Sequence, residues 1–565
     1  MQKVLIVGAV AGGASAAARL RRLDERAQII MFERGEYISF ANCGLPYYIG
    51  GIIQKRHRLL LWSPEEMKAR FNIDVRINSE VIAIDPLKKT VTVKSASRGI
   101  YEESFDKLVL SPGAKPIRPN IPGIESDKIF TLRNIPDTDR LKAYIENNNV
   151  KNVTVVGGGF VGVEMAESLA EKGLEVTLVE AAPHILGFLD DTIAAICEQE
   201  LHDNGVGLIL SQTVKFFEED DGYIRATLAS GQTIYSDIVI LAIGVTPDTE
   251  FLKNSGITLS PTGHIIVDDF MRTNFESIYA AGDAVEVTDF VTKKKTNVPL
   301  AGPANKQGRI IADNIAGIKT KYRGSLGTAV IKVCNLTAAC TGANEKTLIK
   351  NGVSYQTTYL HPHTHSGYYP NASFMTMKLL YSEKERGCIL GCQAVGRSGV
   401  DKRIDVIATA MRFGGSIYDL AELELTYAPP YSSAKDPVNM AGFIAQNELR
   451  GMTENITLKN MALRSASAEN NTTTMLVDVR TKKEFEDGHL KGAVNIPVDE
   501  IRARLGEFDK EKDIILYCQV GIRGYVANRI LAQNGIQAKN LAGGYRSHLQ
   551  TGFTPENVYR GKPEK

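Results

Sequence analysis

The strongest constraint on this chain is a pattern that occurs twice: an apolar strand, a glycine-rich turn, a helix, a second apolar strand and an acid. Residues 2–7 read as a strand, Gly8-Ala9-Val10-Ala11-Gly12-Gly13 as the turn, Ala14–Leu23 as the helix, and Ile29–Phe32 as the strand before Glu33. The second copy runs from strand Lys151–Val156 through Gly157-Gly158-Gly159-Phe160-Val161-Gly162. A helix to about Lys172 and a strand Glu175–Val179 then lead to Glu180. Such a turn lets backbone approach a pyrophosphate at a helix N-terminus, and the acid takes ribose hydroxyls. Two copies imply two nucleotides on an α/β chain. The first is imperfect, with Val10 where the second glycine belongs. In the second, Ala181-Ala182-Pro183 follows the acid with no arginine. That favours a free 2′-hydroxyl, hence NADH over NADPH. Three more strand-to-glycine turns, ending in Ser111-Pro112-Gly113, in Gly244 and in Gly282-Asp283, suit a cofactor held between separated segments.

A length of 565 residues predicts several domains. The balance of 66 basic against 65 acidic side chains supplies no electrostatic footprint for nucleic acid or an anionic membrane. No apolar run is long enough to span a bilayer, and Val4–Val7 lacks the flanks of a secretion signal, so a cytoplasmic protein is expected. Seven cysteines at irregular spacing disfavour a disulfide framework and suit a reducing compartment. Cys388 and Cys392 read as core positions of a strand. His361, His363 and His365 alternate, but no cysteine or acid completes a ligand set nearby, and no metal is expected.

Two cysteines stand out. Cys43 follows Asn42, a residue able to cap a helix, and precedes Pro46 at a position suited to a first helical turn. A thiol at the positive end of a helix dipole is expected to have a lowered pKa and to act as a nucleophile. Near the C-terminus, after a polar stretch ending in "SASAENNTTT", strand Met475–Arg480, a helix near Val498–Leu505 and strand Asp513–Tyr517 lead to Cys518-Gln519-Val520-Gly521-Ile522-Arg523. A cysteine on a tight loop closed by arginine, then a helix, aims backbone N–H groups at the sulfur and stabilises a thiolate or persulfide anion.

With "GAVAGGAS", "SFANCGLPYYIGG" and the Gly282-Asp283 turn, residues 1–445 resemble the FAD-dependent pyridine nucleotide–disulfide oxidoreductases. Tyr48 stands where the two-cysteine members carry a second thiol, so the resemblance is to the single-cysteine branch, and within it to the coenzyme A–disulfide reductases. "DVR", "GHLKGAVNIP" and "CQVGIRG" resemble a rhodanese domain, with a loop one residue shorter than the phosphate-cradling loop of cysteine phosphatases. The resemblance implies an FAD domain split across 1–115 and 250–325, an NAD(P)H domain at 116–249, an α+β dimerisation domain at 326–450, a linker at 451–474 and an α/β rhodanese domain at 475–565.

It further implies site residues. Gly8, Ala9, Val10, Ala11, Gly12, Gly13, Glu33, Arg34, Asn42, Ser111, Pro112, Gly113, Gly282, Asp283, Pro299 and Ala301 would hold FAD. Gly157, Gly159, Phe160, Gly162, Glu180 and Gly244 would hold the nicotinamide nucleotide. Coenzyme A would meet Ser15, Arg19, Arg22, Ser39, Asn42, Asn305 and Lys435; positions 15, 19 and 22 share one helical face, where guanidinium groups fork onto phosphate. In a homodimer, Tyr369 and Tyr427 would reach the active site of the other subunit. The implied activity is NAD(P)H-driven reduction of coenzyme A persulfide, polysulfide or coenzyme A disulfide through Cys43, coupled to sulfur carried on Cys518 beside Arg523. Two other readings stay open: a peroxidase or oxidase cycling through a Cys43 sulfenate, whose relatives carry a histidine where this turn has Val10 and Ala11, and a non-catalytic sulfur-sensing or sulfur-trafficking protein.

Overall fold

The computed structural model describes residues 1–384, 386–461 and 474–550, and the backbone of the short strand Val558–Tyr559. Within it the chain forms two compact units, Met1–Leu186 with His202–Gly327, and Gly187–Leu201 with Thr328–Lys565.

The first unit holds two parallel five-stranded sheets. One orders its strands Ile278–Ala280, Lys107–Leu110, Lys3–Val7, Gln28–Phe32, Asp74–Arg76. The other orders them Val206–Ile209, Glu175–Val179, Asn152–Val156, Ile238–Leu241, Ile129–Thr131. The central strands are nearly unbroken apolar runs, as parallel strands covered on both faces require; Val4, Leu5 and Ile6 are fully buried. Strand Ile278–Ala280 closes the first sheet although the whole second sheet lies between it and Leu110 in sequence. The Gly282-Asp283 turn therefore emerges at the same sheet edge as Ser111–Gly113.

The helix after the first glycine turn spans Ala11–Leu23, beginning three residues earlier than its sequence suggests. Gly12 and Gly13 belong to it because they pack against neighbours: a Cβ on Gly13 would lie 1.9 Å from the Gly8 carbonyl oxygen. This helix lies along helix Ala301–Ile315, so closely that a Cβ on Gly308 would stand 2.3 Å from the Gly12 carbonyl oxygen.

The second unit carries an antiparallel sheet ordered Ala329–Val333, Leu336–Gly342, Ile389–Gly396, Met375–Tyr381, Gln356–Leu360, and a parallel sheet ordered Glu454–Ile456, Lys539–Leu541, Asp513–Tyr517, Thr474–Asp478, Val494–Asn495. Glu454–Ile456, inside the stretch read as linker, is thus an edge strand of the last sheet, paired in register with Lys539–Leu541. The remainder of that stretch, 462–473, lies outside the described residues. Strand Thr474–Asp478 stops before Arg480 because the Asp478 carboxylate accepts from the Arg480 backbone N–H at 2.9 Å and turns the chain. The helix expected near Val498–Leu505 is two 3₁₀ turns, Ile501–Ala503 and Leu505–Glu507. Among the described residues no helix is long and apolar enough to cross a membrane.

Candidate active site

Both glycine turns in the first unit are built alike. Gly8 and Gly157 have φ of +91° and +111°, and a Cβ would stand 2.0 Å from the Ser111 carbonyl oxygen in one and 2.4 Å from that of Ala242 in the other. Each acid braces its own turn: Glu33 accepts from Ala9 at 3.1 Å and Gly35 at 3.0 Å, Glu180 from Gly158 at 2.5 Å and Ala182 at 2.7 Å. A carboxylate has lone pairs for these amides and for a ribose. Val10 is the N-cap of the first helix at a negative φ of −107°, so the left-handed freedom of a glycine is not needed there. Phe160 opens the second helix and nothing crowds its N-cap Gly159. Gly113 and Gly282 take left-handed φ at the Ser111–Gly113 and Gly282–Asp283 turns, and Gly244 at the end of the second sheet. Arg34 pairs with Asp248 at 2.6 Å and Asp283 with Arg133 at 2.9 Å. Arg133, and Gln307, which accepts from the Gly282 N–H at 2.8 Å, were not picked out by sequence. Pro299 and Ala301 lead into helix Ala301–Ile315.

Cys43 is an exposed free thiol on the 3₁₀ turn Asn42–Gly44, which runs into helix Leu45–Gly50. The expected cap is not made. Gly44 is the N-cap, Pro46 falls within the first turn, and the Asn42 side chain caps nothing: its Oδ1 is buried without a hydrogen-bond partner. The thiol pKa is raised, where the helix dipole had suggested lowering. A helix of six residues has a weak dipole, and three stronger effects oppose it. Protein packed around the sulfur removes hydration although the residue has open surface, and Glu164 and then Asp283 add negative charge nearby. Tyr47, one turn beyond Cys43, donates to Glu164 Oε1 at 3.3 Å.

Ser39, four residues before the thiol, lines a cavity of about 400 Å³ together with Ser15, Arg19, Arg22 and Asn305, so that five of the residues assigned to coenzyme A share it. Ser39 has φ +46°, and Phe40 bridges Leu60, so Trp62 is carried to the same cavity. Ser15 donates to Asn305, and Arg19 pairs with Asp313 at 2.8 Å. Trp62, Met67, Phe71 and Arg309 also line this cavity and were missed, because loop and helix partners so distant in sequence leave no periodic signal. Arg70, unassigned from sequence, stacks on Trp62 at 4.7 Å.

In the second unit Tyr427 meets Tyr368 hydroxyl to hydroxyl at 3.1 Å, whereas Tyr369 packs edge-on to His365. Tyr368, which the sequence did not single out, is thus the hydroxyl partner of Tyr427 within the chain. Lys435 is exposed. The three histidines diverge: His361 meets Thr376 and Ser547, His363 stacks on Phe374, and His365 meets Thr364 and the Pro370 carbonyl.

Cys518 ends strand Asp513–Tyr517 with 0% exposure, and the Gly521 N–H donates to its sulfur at 3.1 Å. Arg523, in the first turn of helix Ile522–Gln533, grips Glu484 at 2.6 and 2.7 Å and also interacts with Cys518. That grip holds the Glu484 carboxyl down at about 2. Tyr545 donates its N–H to the Cys518 carbonyl at 2.8 Å, and a Cβ on Gly544 would stand 2.3 Å from that oxygen.

Family comparison matches residues 2–308 to the pyridine nucleotide–disulphide oxidoreductases and 328–437 to the dimerisation domain of those enzymes. The chain belongs to this family. Residues 462–550 match the rhodanese-like domain. A coenzyme A disulfide reductase of Staphylococcus haemolyticus is 37% identical over 449 residues, 79% of this chain and 100% of that one. The reduced CoADR-RHD of Bacillus anthracis is 48% identical with a TM-score of 0.95, covering 99% of both chains. An NAD-dependent persulfide reductase from A. fulgidus is 35% identical with a TM-score of 0.89, covering 96% of this chain and 99% of the other. This oxidoreductase family implies FAD and NAD(P)H. The paired glycine cradles, in which Gly8 and Gly157 leave no room for a Cβ, and the orphaned buried oxygen of Asn42 beside the thiol fit such groups.

Proposed function

We propose that this chain reduces coenzyme A persulfide, polysulfide or coenzyme A disulfide at the expense of NAD(P)H, with Cys43 as the redox thiol and Cys518 as a sulfur carrier. The observation that carries the reading is the cavity holding Ser15, Arg19, Arg22 and Asn305 on one side and Ser39, four residues before the thiol, on the other. Two guanidinium groups suit the phosphates of coenzyme A, and a chain reaching past Ser39 brings its sulfur to Cys43.

The first cradle, from Gly8 to Glu33 with Ser111–Gly113, Gly282 and Asp283, would hold FAD, and the second, from Gly157 to Glu180, NADH in preference to NADPH. FAD, when bound, supplies the two-electron relay between the nicotinamide and the thiol. The Cys43 thiolate attacks the sulfur attached to coenzyme A; the S–S bond breaks, hydrosulfide or coenzyme A thiolate leaves, and a Cys43–coenzyme A mixed disulfide forms. Two electrons from NAD(P)H then break that disulfide and free the thiol. With one cysteine in the turn, the disulfide partner must come from outside the chain, so coenzyme A serves as bound cofactor as well as substrate. In a homodimer Tyr369, Tyr427 and Lys435 serve the substrate at the other protomer's thiol. Seven free thiols suit a cytoplasmic setting. Val10 and Ala11, an N-cap and a first helical residue, offer no imidazole to support a sulfenate, which argues against peroxide chemistry.

Anaerobic NADH consumption with coenzyme A persulfide, coenzyme A disulfide and peroxide, with hydrosulfide quantified, tests the reading. Persulfide-dependent turnover with matching sulfide release is expected. Fast peroxide turnover without sulfide would overturn it.

A further inference from the structure

Two separate lines of hydrogen bonds run from the sheet of the dimerisation domain to the loop that carries Cys518. The first starts at Glu448, near the end of helix Pro437–Leu449, which packs on strand Gln356–Leu360. One oxygen of its carboxyl accepts from the Thr358 hydroxyl and from the Tyr381 hydroxyl at 2.7 Å, and the other from the Asn455 side-chain amide. Burial pushes this carboxyl up, and the three donors pull it back. Accepting from Asn455, it fixes which end of that amide faces it. The Asn455 oxygen is thereby turned to Asn540, its partner across the two parallel strands, whose Nδ2 donates to it at 3.2 Å. The same Nδ2 lies 3.4 Å from the Gly521 carbonyl oxygen, which also accepts the first helical bond from the Tyr525 N–H at 2.9 Å. Gly521 in turn donates to the Cys518 sulfur at 3.1 Å. Asn540 is buried, yet its Oδ1 has no hydrogen-bond partner, and a Cβ on Gly524 would stand 2.2 Å from it. An amide buried with one end unsatisfied costs stability. Its donor end, on the sulfur loop, offsets that cost.

The second line starts at His361, just beyond the same strand. The Thr376 hydroxyl donates to Gln550 at 3.2 Å, so the His361 Nδ1 donates to Thr376 at 3.0 Å and its Nε2 accepts from the Ser547 hydroxyl at 2.8 Å. Burial first, and then the Arg546 cation, push this imidazole down to about 3, which keeps it neutral as that pattern requires. Ser547 lies in helix Gly544–Gln550, whose Tyr545 and Arg546 N–H groups donate to the carbonyls of Cys518 and Gln519 at 2.8 and 2.9 Å. Gly543 lets the two sides meet, since a Cβ there would stand 2.8 Å from His361 Nε2. The start of the sulfur loop thus hangs on His361, and its far side on Glu448.

We propose that Glu448 and His361 are positioning residues for Cys518: acting through Asn540 and Ser547, they keep the Gly521 N–H aimed at the sulfur, so that the dimerisation domain sets how fast the rhodanese site takes up sulfane sulfur. This rests on the reading of Cys518 as a sulfur carrier. With thiosulfate as donor, the Cys518 thiolate attacks the outer sulfur, the S–S bond breaks, sulfite leaves with the electron pair and a Cys518 persulfide forms. Cyanide then takes the outer sulfur as thiocyanate, and the Cys518 thiolate returns. Negative charge stays on or next to the Cys518 sulfur in both steps, so a donor that drifts from it slows both.

The test is rapid-quench sulfur loading of the FAD-loaded full-length enzyme with thiosulfate, followed by steady-state transfer to cyanide. It reads two quantities: how many Cys518 thiols per chain take up sulfur, by peptide mass spectrometry, and the rate constant for those that do. Glu448→Ala, Asn540→Ala and Ser547→Ala should each lower the rate constant about tenfold, with loading still complete and KM for thiosulfate unchanged. Asn540→Ala with Ser547→Ala should multiply the two losses to about 10²-fold, as independent lines require. Glu448→Gln should restore the wild-type rate, because its oxygen still accepts from Asn455 while its amide turns to the hydroxyls of Thr358 and Tyr381. A wild-type rate constant in Glu448→Ala or in Ser547→Ala overturns the proposal. So does incomplete loading at an unchanged rate constant, the mark of a merely structural role. Cys518→Ser separates the two levels: if it transfers no sulfur while Glu448→Ala and Ser547→Ala are normal, only the positioning role fails, and if it still transfers sulfur the reading of Cys518 fails as well.

Discussion

The two thiols of interest sit in opposite surroundings. Cys43 is exposed, on a 3₁₀ turn, beside Glu164 and Asp283, and its pKa is raised. Cys518 is fully buried, at the mouth of a twelve-residue helix, with an N–H on its sulfur and Arg523 alongside. A sulfur that must meet a substrate as large as coenzyme A needs open surface and a place for its proton. One that carries sulfane sulfur as an anion needs amide donors and a cation, and no cavity for a bulky partner. The contrast teaches that helix position alone does not set a thiol's role. Lost hydration first, and then carboxylates close to the sulfur, outweigh a short helix's dipole.

The contrast breaks most directly by exchanging serine for each sulfur. Cys43→Ser should lower NADH-dependent reduction of coenzyme A disulfide on the order of 10³-fold or more and leave thiosulfate sulfurtransferase activity intact. Cys518→Ser should do the reverse. Loss of both activities in either variant would mean that the two sites are not separable. Gly544→Ala comes next: its methyl would press on the Cys518 carbonyl oxygen at a left-handed φ of +62°. It should destabilise the last sheet's loop by about 1–3 kcal/mol and cut sulfurtransferase activity, while disulfide reduction persists. Arg22→Ala acts on the other thiol. It should raise KM for coenzyme A substrates about tenfold and leave turnover of inorganic polysulfide unchanged, as steady-state kinetics would show.

The smallest effect concerns acid. Glu484 falls from an ordinary 4.5 to about 2 in the folded chain because Arg523 grips it. The unfolded state thus binds its proton first as pH falls, so the stabilisation is complete above about 4.5 and fades between there and about 2. A third of each side chain is exposed, so screening leaves under about 1 kcal/mol. Glu484→Gln should flatten the acid limb of a denaturation profile by that amount.

Most of the architecture could be read from residues 1–18 and 151–180 and from the Cys518 loop, because glycine turns that meet backbone at about 2 Å admit no substitute. The coenzyme A face was legible for the same kind of reason: Ser15, Arg19 and Arg22 share a helical period. Trp62, Arg309 and the Tyr368 partner of Tyr427 were not, since tertiary packing alone brings them in. Glu164 was hidden in helix Phe160–Glu171, where Glu167 and Glu171 offer the same side chain and no spacing singles it out. The cap expected of Asn42 failed locally: the turn closes as 3₁₀, and Gly44 takes the N-cap.

The most direct test of the central claim is peptide mass spectrometry of the full-length protein after treatment with coenzyme A disulfide. The account predicts one coenzyme A disulfide-linked to Cys43 per chain, discharged by one equivalent of NADH under anaerobic conditions. An adduct on Cys518 with Cys43 unmodified, or a Cys43 adduct that NADH leaves in place, would contradict it.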